Sequence, residues 1–166
     1  IFRVIEHHAA DAVELGVALP VEHGGLAVLM GRIEAAFRAI GTPPVPCHND
    51  LLNANVLVGR DRLWLIDYEY AGMNEPMFDL ANLSVNCAFD EAADVRLLDA
   101  YDGDVSQRRL ARLNLMKVVS ELREGMWAVV QQAISTLDDV DFVAYARERL
   151  EHCAELAATP AFAGWL

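Results

Sequence analysis

Lysine is almost missing from this chain. Among 166 residues there is one, Lys117, and 13 basic residues stand against 25 acidic ones, for a formal net charge of −12. A nucleic-acid partner needs clustered Lys and Arg to neutralise phosphates, and no such cluster occurs, which excludes that class. Cysteine is also sparse: Cys47, Cys87 and Cys153 lie far apart with neither disulfide nor metal-ligand spacing, which fits a reducing, cytoplasmic setting. No apolar run approaches the ~20 residues of a membrane span, and no charged segment with a signal-like core opens the chain, so membrane insertion is not expected. The one glycine pair, Gly24-Gly25, makes no glycine-rich loop, and no Cys or carboxylate spacing around His7, His8 and His23 supports a metal site. What the chain does have is apolar content, 54% of its residues. That suffices for one sizeable core, so residues 1–166 are expected to form a single domain.

Periodicity makes the expected domain mainly helical. Leu26, Leu29, Met30, Ile33, Phe37 and Ile40 recur at helical spacing after a helix over about 6–15 and a loop through Pro20 and Gly24-Gly25. Gly41 and Pro43-Pro44 end that segment. Pro76 opens a helix reaching about Val85, Asp90 caps another ending near Tyr101, and a long one runs from Ser106 to about Leu137. A last helix covers about 141–158. Between residues 56 and 66 the pattern changes: Val56-Leu57-Val58 and Leu63-Trp64-Leu65-Ile66 are β-rich runs joined by Gly59-Arg60-Asp61-Arg62, a hairpin signal. The fold class expected is therefore mainly α (α+β), with one small hairpin.

The polar residues flanking that hairpin carry the chemistry. Asp50 and Asn55 stand five apart on the loop entering the first strand, and Asp67 follows the second strand twelve residues later. The hairpin would place Asn55 and Asp67 as neighbours across the pair, with Asp50 beside them. A loop Asp or Asn taken alone is usually a turn or cap residue; His-x-Asp-x-x-x-x-Asn followed by a strand and an Asp is the pattern of kinase catalytic and metal loops. Phosphoryl transfer asks the protein for an oriented hydroxyl and oxygen ligands for the metal rather than covalent chemistry. Mg2+ takes one or two carboxylates plus waters and phosphate oxygens, so an Asn and an Asp suffice and the other Asp is left as base. His48 is read as holding the loop by hydrogen bonds, and Cys47 as a small buried hydrophobe.

Pro46-Cys47-His48-Asn49-Asp50-Leu51-Leu52-Asn53-Ala54-Asn55-Val56-Leu57-Val58, with the run from Leu65 to Asn82, resembles the choline and ethanolamine kinase family within the wider group of aminoglycoside phosphotransferases. The wider group typically has His-Gly-Asp where this chain has His48-Asn49-Asp50. The likeness continues into the helix around Trp127 and covers roughly residues 45–149. The resemblance implies a protein-kinase-like fold, Asp50 as the base, Mg2+ on Asn55 and Asp67, Glu69 supporting the metal and substrate site, and Asp79 bracing the catalytic loop. ATP would be the co-substrate. It also places Trp127 and Tyr145 on the walls of the alcohol pocket.

A cationic alcohol suits aromatic faces and carboxylates, which makes Tyr70, Trp127 and Tyr145 candidates. For Trp127 a core role is equally open, since Leu113, Met116, Trp127, Val130 and Ile134 also form a helical stripe. Choline kinases often carry a second Trp three residues before the position of Trp127; here Glu124 stands there, on the same helical face. A carboxylate beside a ring face would favour an ammonium that donates hydrogen bonds. Kinases also cover the phosphates with a glycine-rich loop and pair them with a strand Lys. Neither is here, so the chain is read as the C-terminal lobe of a longer kinase whose ATP-binding β-lobe precedes Ile1, and the isolated 166 residues are expected to be inactive. The competing readings are a kinase for an aminoglycoside or thiamine, and a non-catalytic amine-binding module. The sequence leaves oligomeric state open.

Overall fold

The stripe Leu26, Met30, Ile33 and Phe37 is buried along α2 (His23–Ile40) in a computed structural model that describes residues 1–21 and 23–166. α2 starts three residues before the predicted position, and Gly24 and Gly25 lie in its first turn. Periodicity marks only the buried face, so an exposed first turn leaves no trace in it. The chain divides into two compact units, residues 1–41 with 118–164 and Leu166, and residues 42–117 with Trp165.

The first unit is helical. It contains α1 (Phe2–Glu14), α2, residues 118–134 of a long helix α5 (Gln107–Ile134), and α6 (Phe142–Ala157). Asp141 caps α6 by accepting the Ala144 amide at 2.9 Å. Ala12, Ala128, Val129, Val130, Phe142 and Ala146 form a buried cluster, against which Val17, Leu19, Trp127 and Tyr145 pack. Gly125 lets α5 and α6 approach: a Cβ there would fall 2.7 Å from Leu150 Cδ2. A short terminal helix, α7 (Phe162–Trp165), follows Pro160. Ile134, which the apolar stripe assigned to the core, is 52% exposed; it is the last residue of α5, where the face no longer has a partner to cover it.

The second unit carries the strands. β2 (Val56–Val58) and β3 (Leu63–Leu65) pair antiparallel as predicted, with Gly59 N–H donating to the Arg62 carbonyl at 2.8 Å. The hairpin is apolar yet exposed, with Val58 82%, Leu63 65% and Trp64 53% accessible. A second pair was not foreseen: β1 (Val45–Cys47) with β4 (Gly72–Asn74), in the register Val45↔Asn74 and Cys47↔Gly72. One strand holds Pro and the other Gly and Asn, residues depleted in strands, so local preference gives no sign of it. This ribbon encloses the hairpin and brings the residues after Cys47 to those before Gly72. α3 (Pro76–Asn86) then starts with Pro at its first turn. α4 (Glu91–Asp102) is capped by Asp90, which accepts from Ala93 N–H at 2.7 Å, and ends at Gly103 with φ 77°.

Candidate active site

Between β1 and a single 3-10 turn (Asn53–Asn55) the backbone of the Asp50 loop is fastened to one face of α3. Asp79 accepts the His48 amide on Oδ2 at 2.7 Å and the Asn49 amide on Oδ1 at 2.8 Å. Asn82 Oδ1 accepts the Leu51 amide at 2.6 Å, and Asn86 Nδ2 donates to the Leu51 carbonyl at 3.3 Å. Residues 79, 82 and 86 are spaced so that a helix presents them on one side. They take up backbone groups that a buried irregular loop could not otherwise satisfy. Asp50 therefore sits between two fixed peptides, itself only 9% exposed.

Asn55 meets Asp50 directly. Its Nδ2 donates to the Asp50 carbonyl at 3.0 Å and to Asp50 Oδ2 at 3.4 Å. Using the nitrogen inward turns the amide oxygen the other way, as an acceptor suited to a hard cation. The ladder continues one step past β3: Ile66 N–H donates to the Asn55 carbonyl at 3.1 Å. Asn55 thus faces Ile66, and Asp67 is the next residue, exposed and in the left-handed region at φ 64°. Among the described residues no group of three or more His, Cys, Asp or Glu side chains is arranged to hold a metal. A Mg2+ site of one Asn and one Asp needs none, because waters and phosphate oxygens fill the remaining positions.

His48 is buried and holds the neighbouring segment. Its Nε2 lies 2.9 Å from the Ile66 carbonyl, and since a carbonyl only accepts, that nitrogen carries the proton. The ring contacts Tyr68 at a centroid distance of 4.6 Å. Beside it opens a cleft of about 530 Å3 lined by Cys47, His48, Leu51, Leu65, Tyr68 and Asp79 among others. Burial and the nearby Asp79 push the Cys47 thiol up to about 11, so it stays protonated at neutral pH, as expected of a buried apolar filler. Glu69 and Tyr70 are exposed on the turn after Asp67, where Ala71 N–H closes onto the Tyr68 carbonyl at 3.0 Å.

The other candidates belong to the first unit. Glu124, on α5, is 4% exposed rather than solvated. It pairs with Arg123 and accepts from the Tyr145 hydroxyl at 3.4 Å. Trp127 packs edge-on to Phe142 at 5.8 Å and to Tyr145 at 6.5 Å, partly buried against the unit's core. The Arg149 guanidinium lies 5.0 Å from the Tyr145 ring centre. Burial, with the Glu124 charge adding to it, raises the Tyr145 hydroxyl to about 12. Sequence reasoning did not single out Asn49, Asn74, Asn82 or Asn86. Asn49 showed only as the residue standing where the wider group has Gly, and Asn82 and Asn86 only as polar positions on the same face of α3 as Asp79.

The sequence and the fold have relatives. A model of the choline/ethanolamine kinase family matches residues 25–102. Protein LicA of Haemophilus influenzae is 30% identical over 118 residues, an alignment covering 67% of this chain and 43% of that protein. Ethanolamine kinase 2 of Mus musculus is 32% identical over 133 residues, covering 64% of this chain and 33% of the relative. A crystal structure of a choline/ethanolamine kinase family protein from Mesorhizobium loti superposes with a TM-score of 0.88 at 32% identity, over 99% of this chain and 56% of the other. The chain thus spans about half of that solved structure and less of the curated relatives. The helical architecture with its small β region is that of one lobe of such kinases.

Proposed function

Because the chain belongs to the choline/ethanolamine kinase family, we propose that it is the C-terminal lobe of an ATP-dependent kinase that phosphorylates the hydroxyl of a small cationic alcohol, choline or ethanolamine. The observation that carries this reading is the contact between Asn55 and Asp50, a carboxylate held by a neighbouring amide on a loop with both flanking peptides fixed.

In this mechanism Asp50 Oδ accepts the hydrogen of the substrate hydroxyl and aims its oxygen along the line of attack. Little basicity is needed, since the transition state is loose and positioning supplies most of the rate. Asn55, through its amide oxygen, and Asp67 would hold Mg2+, which when bound neutralises charge on the phosphate oxygens. Asn55 also acts through its N–H groups, which keep the Asp50 carboxylate from rotating. His48 fixes the peptide before Asp67, and Asp79 braces the loop. Glu69 and Tyr70 are assigned to the substrate beside this loop. Within the first unit, Glu124, Trp127 and Tyr145 offer a carboxylate and ring faces of the kind that suit an ammonium. The glycine-rich loop and phosphate-pairing lysine lie, on this reading, outside these 166 residues. The exposed apolar hairpin provides a surface for such a lobe.

The test is a Mg2+- and ATP-dependent screen of the full-length protein against choline, ethanolamine, thiamine and aminoglycosides. Turnover of an amino alcohol, abolished in Asp50→Ala, is expected. Near-wild-type turnover of that variant would remove Asp50 as the base, and turnover confined to thiamine or aminoglycosides would remove the substrate assignment. Glu124→Gln is expected to shift the ethanolamine-to-choline turnover ratio; an unchanged ratio would exclude Glu124 from specificity.

A further inference from the structure

Two consecutive residues of the Asp50 loop grip the Asp67 segment at both of its ends. His48 Nε2 holds the carbonyl of Ile66 at 2.9 Å, and Asn49 Nδ2 donates to the carbonyl of Tyr70 at 3.0 Å. Between those carbonyls lie Asp67, Tyr68 and Glu69. The grip is itself anchored, because Asp79 holds the backbone amides of both gripping residues. On its far side the Asn49 carboxamide is fixed as well: Asn74 Nδ2 donates to Asn49 Oδ1 at 2.8 Å, and Asn74 Oδ1 accepts the Glu75 amide at 2.8 Å. The bonds from the Glu75 amide through Asn74 and Asn49 to the Tyr70 carbonyl run in one direction, an arrangement in which each amide polarises the next. It ties together the loop after β1, the end of β4 and the residue before α3.

Asn49 reaches this position only because its backbone lies at φ 66°. Asparagine tolerates the left-handed region better than most side chains, whereas glycine adopts it freely but brings no carboxamide. The backbone requirement alone would be met by glycine, so the side chain has a separate role.

We propose that the Asn49 carboxamide is a positioning residue that sets where Asp67 and Glu69 stand relative to Asp50, and hence how well the metal-binding segment is pre-organised. It acts through the Asp67 segment rather than on substrate or metal. The inference rests on the kinase reading for the roles of Asp50 and Asp67, but the clamp itself is a matter of backbone order and is measurable without turnover.

The experiment uses the full-length protein with Asn49→Gly, which keeps the backbone and deletes both side-chain bonds, and Asn74→Ala, which leaves Asn49 in place but unanchored. Hydrogen–deuterium exchange in the peptide covering residues 66–72 is expected to rise about tenfold in Asn49→Gly and by less in Asn74→Ala, the change that loss of a hydrogen bond produces in local opening. In the same preparations the Mg2+ concentration for half-maximal turnover should rise severalfold, by more than the KM for the alcohol. Exchange over 66–72 and Mg2+ requirement both within about twofold of wild type in Asn49→Gly overturn the proposal. A raised alcohol KM with unchanged Mg2+ requirement also overturns it. A wild-type protein that turns over no alcohol refutes the kinase reading instead, and the exchange measurement then decides the clamp alone.

Discussion

The Leu51 amide donates to Asn82 Oδ1 at 2.6 Å, and Asn82 has no accessible surface at all. A fully buried asparagine in the middle of a helix is expensive unless its polar atoms are used, and here the use is to hold the peptide next to Asp50. Asn82→Ala leaves the buried Leu51 N–H without its acceptor. We expect a stability loss of about 1–3 kcal/mol by urea denaturation and a fall in turnover that exceeds any change in substrate KM. Asn82→Asp keeps an acceptor oxygen and should retain more of both. Equal losses in the two variants would show that the acceptor is not what matters.

Gly125 concerns packing alone. Alanine has the better helix propensity by about 1 kcal/mol, so at an open helical site Gly→Ala stabilises. At Gly125 the added Cβ would come within 2.7 Å of Leu150 Cδ2 and 2.8 Å of its Cγ, inside a buried contact. Cγ is not the free end of the side chain, so Leu150 cannot swing clear without moving α6. Overpacking of this kind costs about 1–3 kcal/mol, which outweighs the propensity gain. Gly125→Ala should lower the melting temperature, while Gly31→Ala, where a Cβ meets nothing within 4 Å, should leave it unchanged or raise it.

Neither Asn82 nor Gly125 was legible in the sequence, although much of the fold around them was. The helices showed in it because burial repeats every three to four residues, and the Asp90 cap showed because side-chain caps use few residue types. The hairpin showed through β-branched and aromatic runs around a turn. Asp50, Asn55 and Asp67 were singled out by spacing, and Asp50 with Asn55 do touch. The β1–β4 ribbon was hidden, because pairing Cys47 with Gly72 depends on non-local backbone bonds that Pro46 and Gly72 do not announce. The roles of Asn49, Asn74 and Asn82 were hidden for the same reason, Asn49 showing only as the residue that replaces the usual Gly. What each does is set by a partner more than twenty residues away, and nothing in its immediate neighbours distinguishes it from a surface asparagine.

His8, on α1, provides a pH prediction. Its pKa is lowered from 6.5, chiefly by burial, with the Arg123 charge adding to the effect and Asp11 opposing it. Its Nε2 is enclosed without a hydrogen-bond partner among the described residues. The folded protein therefore binds a proton on His8 less readily than the unfolded chain does. Stability contributed by the neutral ring is present above the unfolded pKa of about 6.5 and is lost as pH falls from there toward the lower folded value. The urea midpoint should decline between about pH 7 and 5 in the wild type, and His8→Gln should flatten that decline. An identical slope in the variant would place the titration elsewhere.

The sole lysine is the last case, and it lies inside the second unit. Lys117 Nζ pairs with Asp94 Oδ2, and Asp94 Oδ1 accepts the Ser84 hydroxyl at 2.5 Å, all three side chains being buried. The network joins α3, α4 and α5 on the side of α3 away from residues 79, 82 and 86. Two charges taken out of water are costly, and their mutual attraction offsets that cost only while both are present. Lys117→Met strands the Asp94 carboxylate and should cost about 3–5 kcal/mol. Replacing both at once, Lys117→Met with Asp94→Leu, removes the penalty along with the attraction, so the double variant should be markedly more stable than Lys117→Met alone. Ser84 then loses its acceptor, which limits the recovery, and adding Ser84→Ala should restore a further part of it. Chemical denaturation of the three variants measures this directly. If the double variant were no more stable than the single one, the ion pair would be a net source of stability rather than a self-cancelling one.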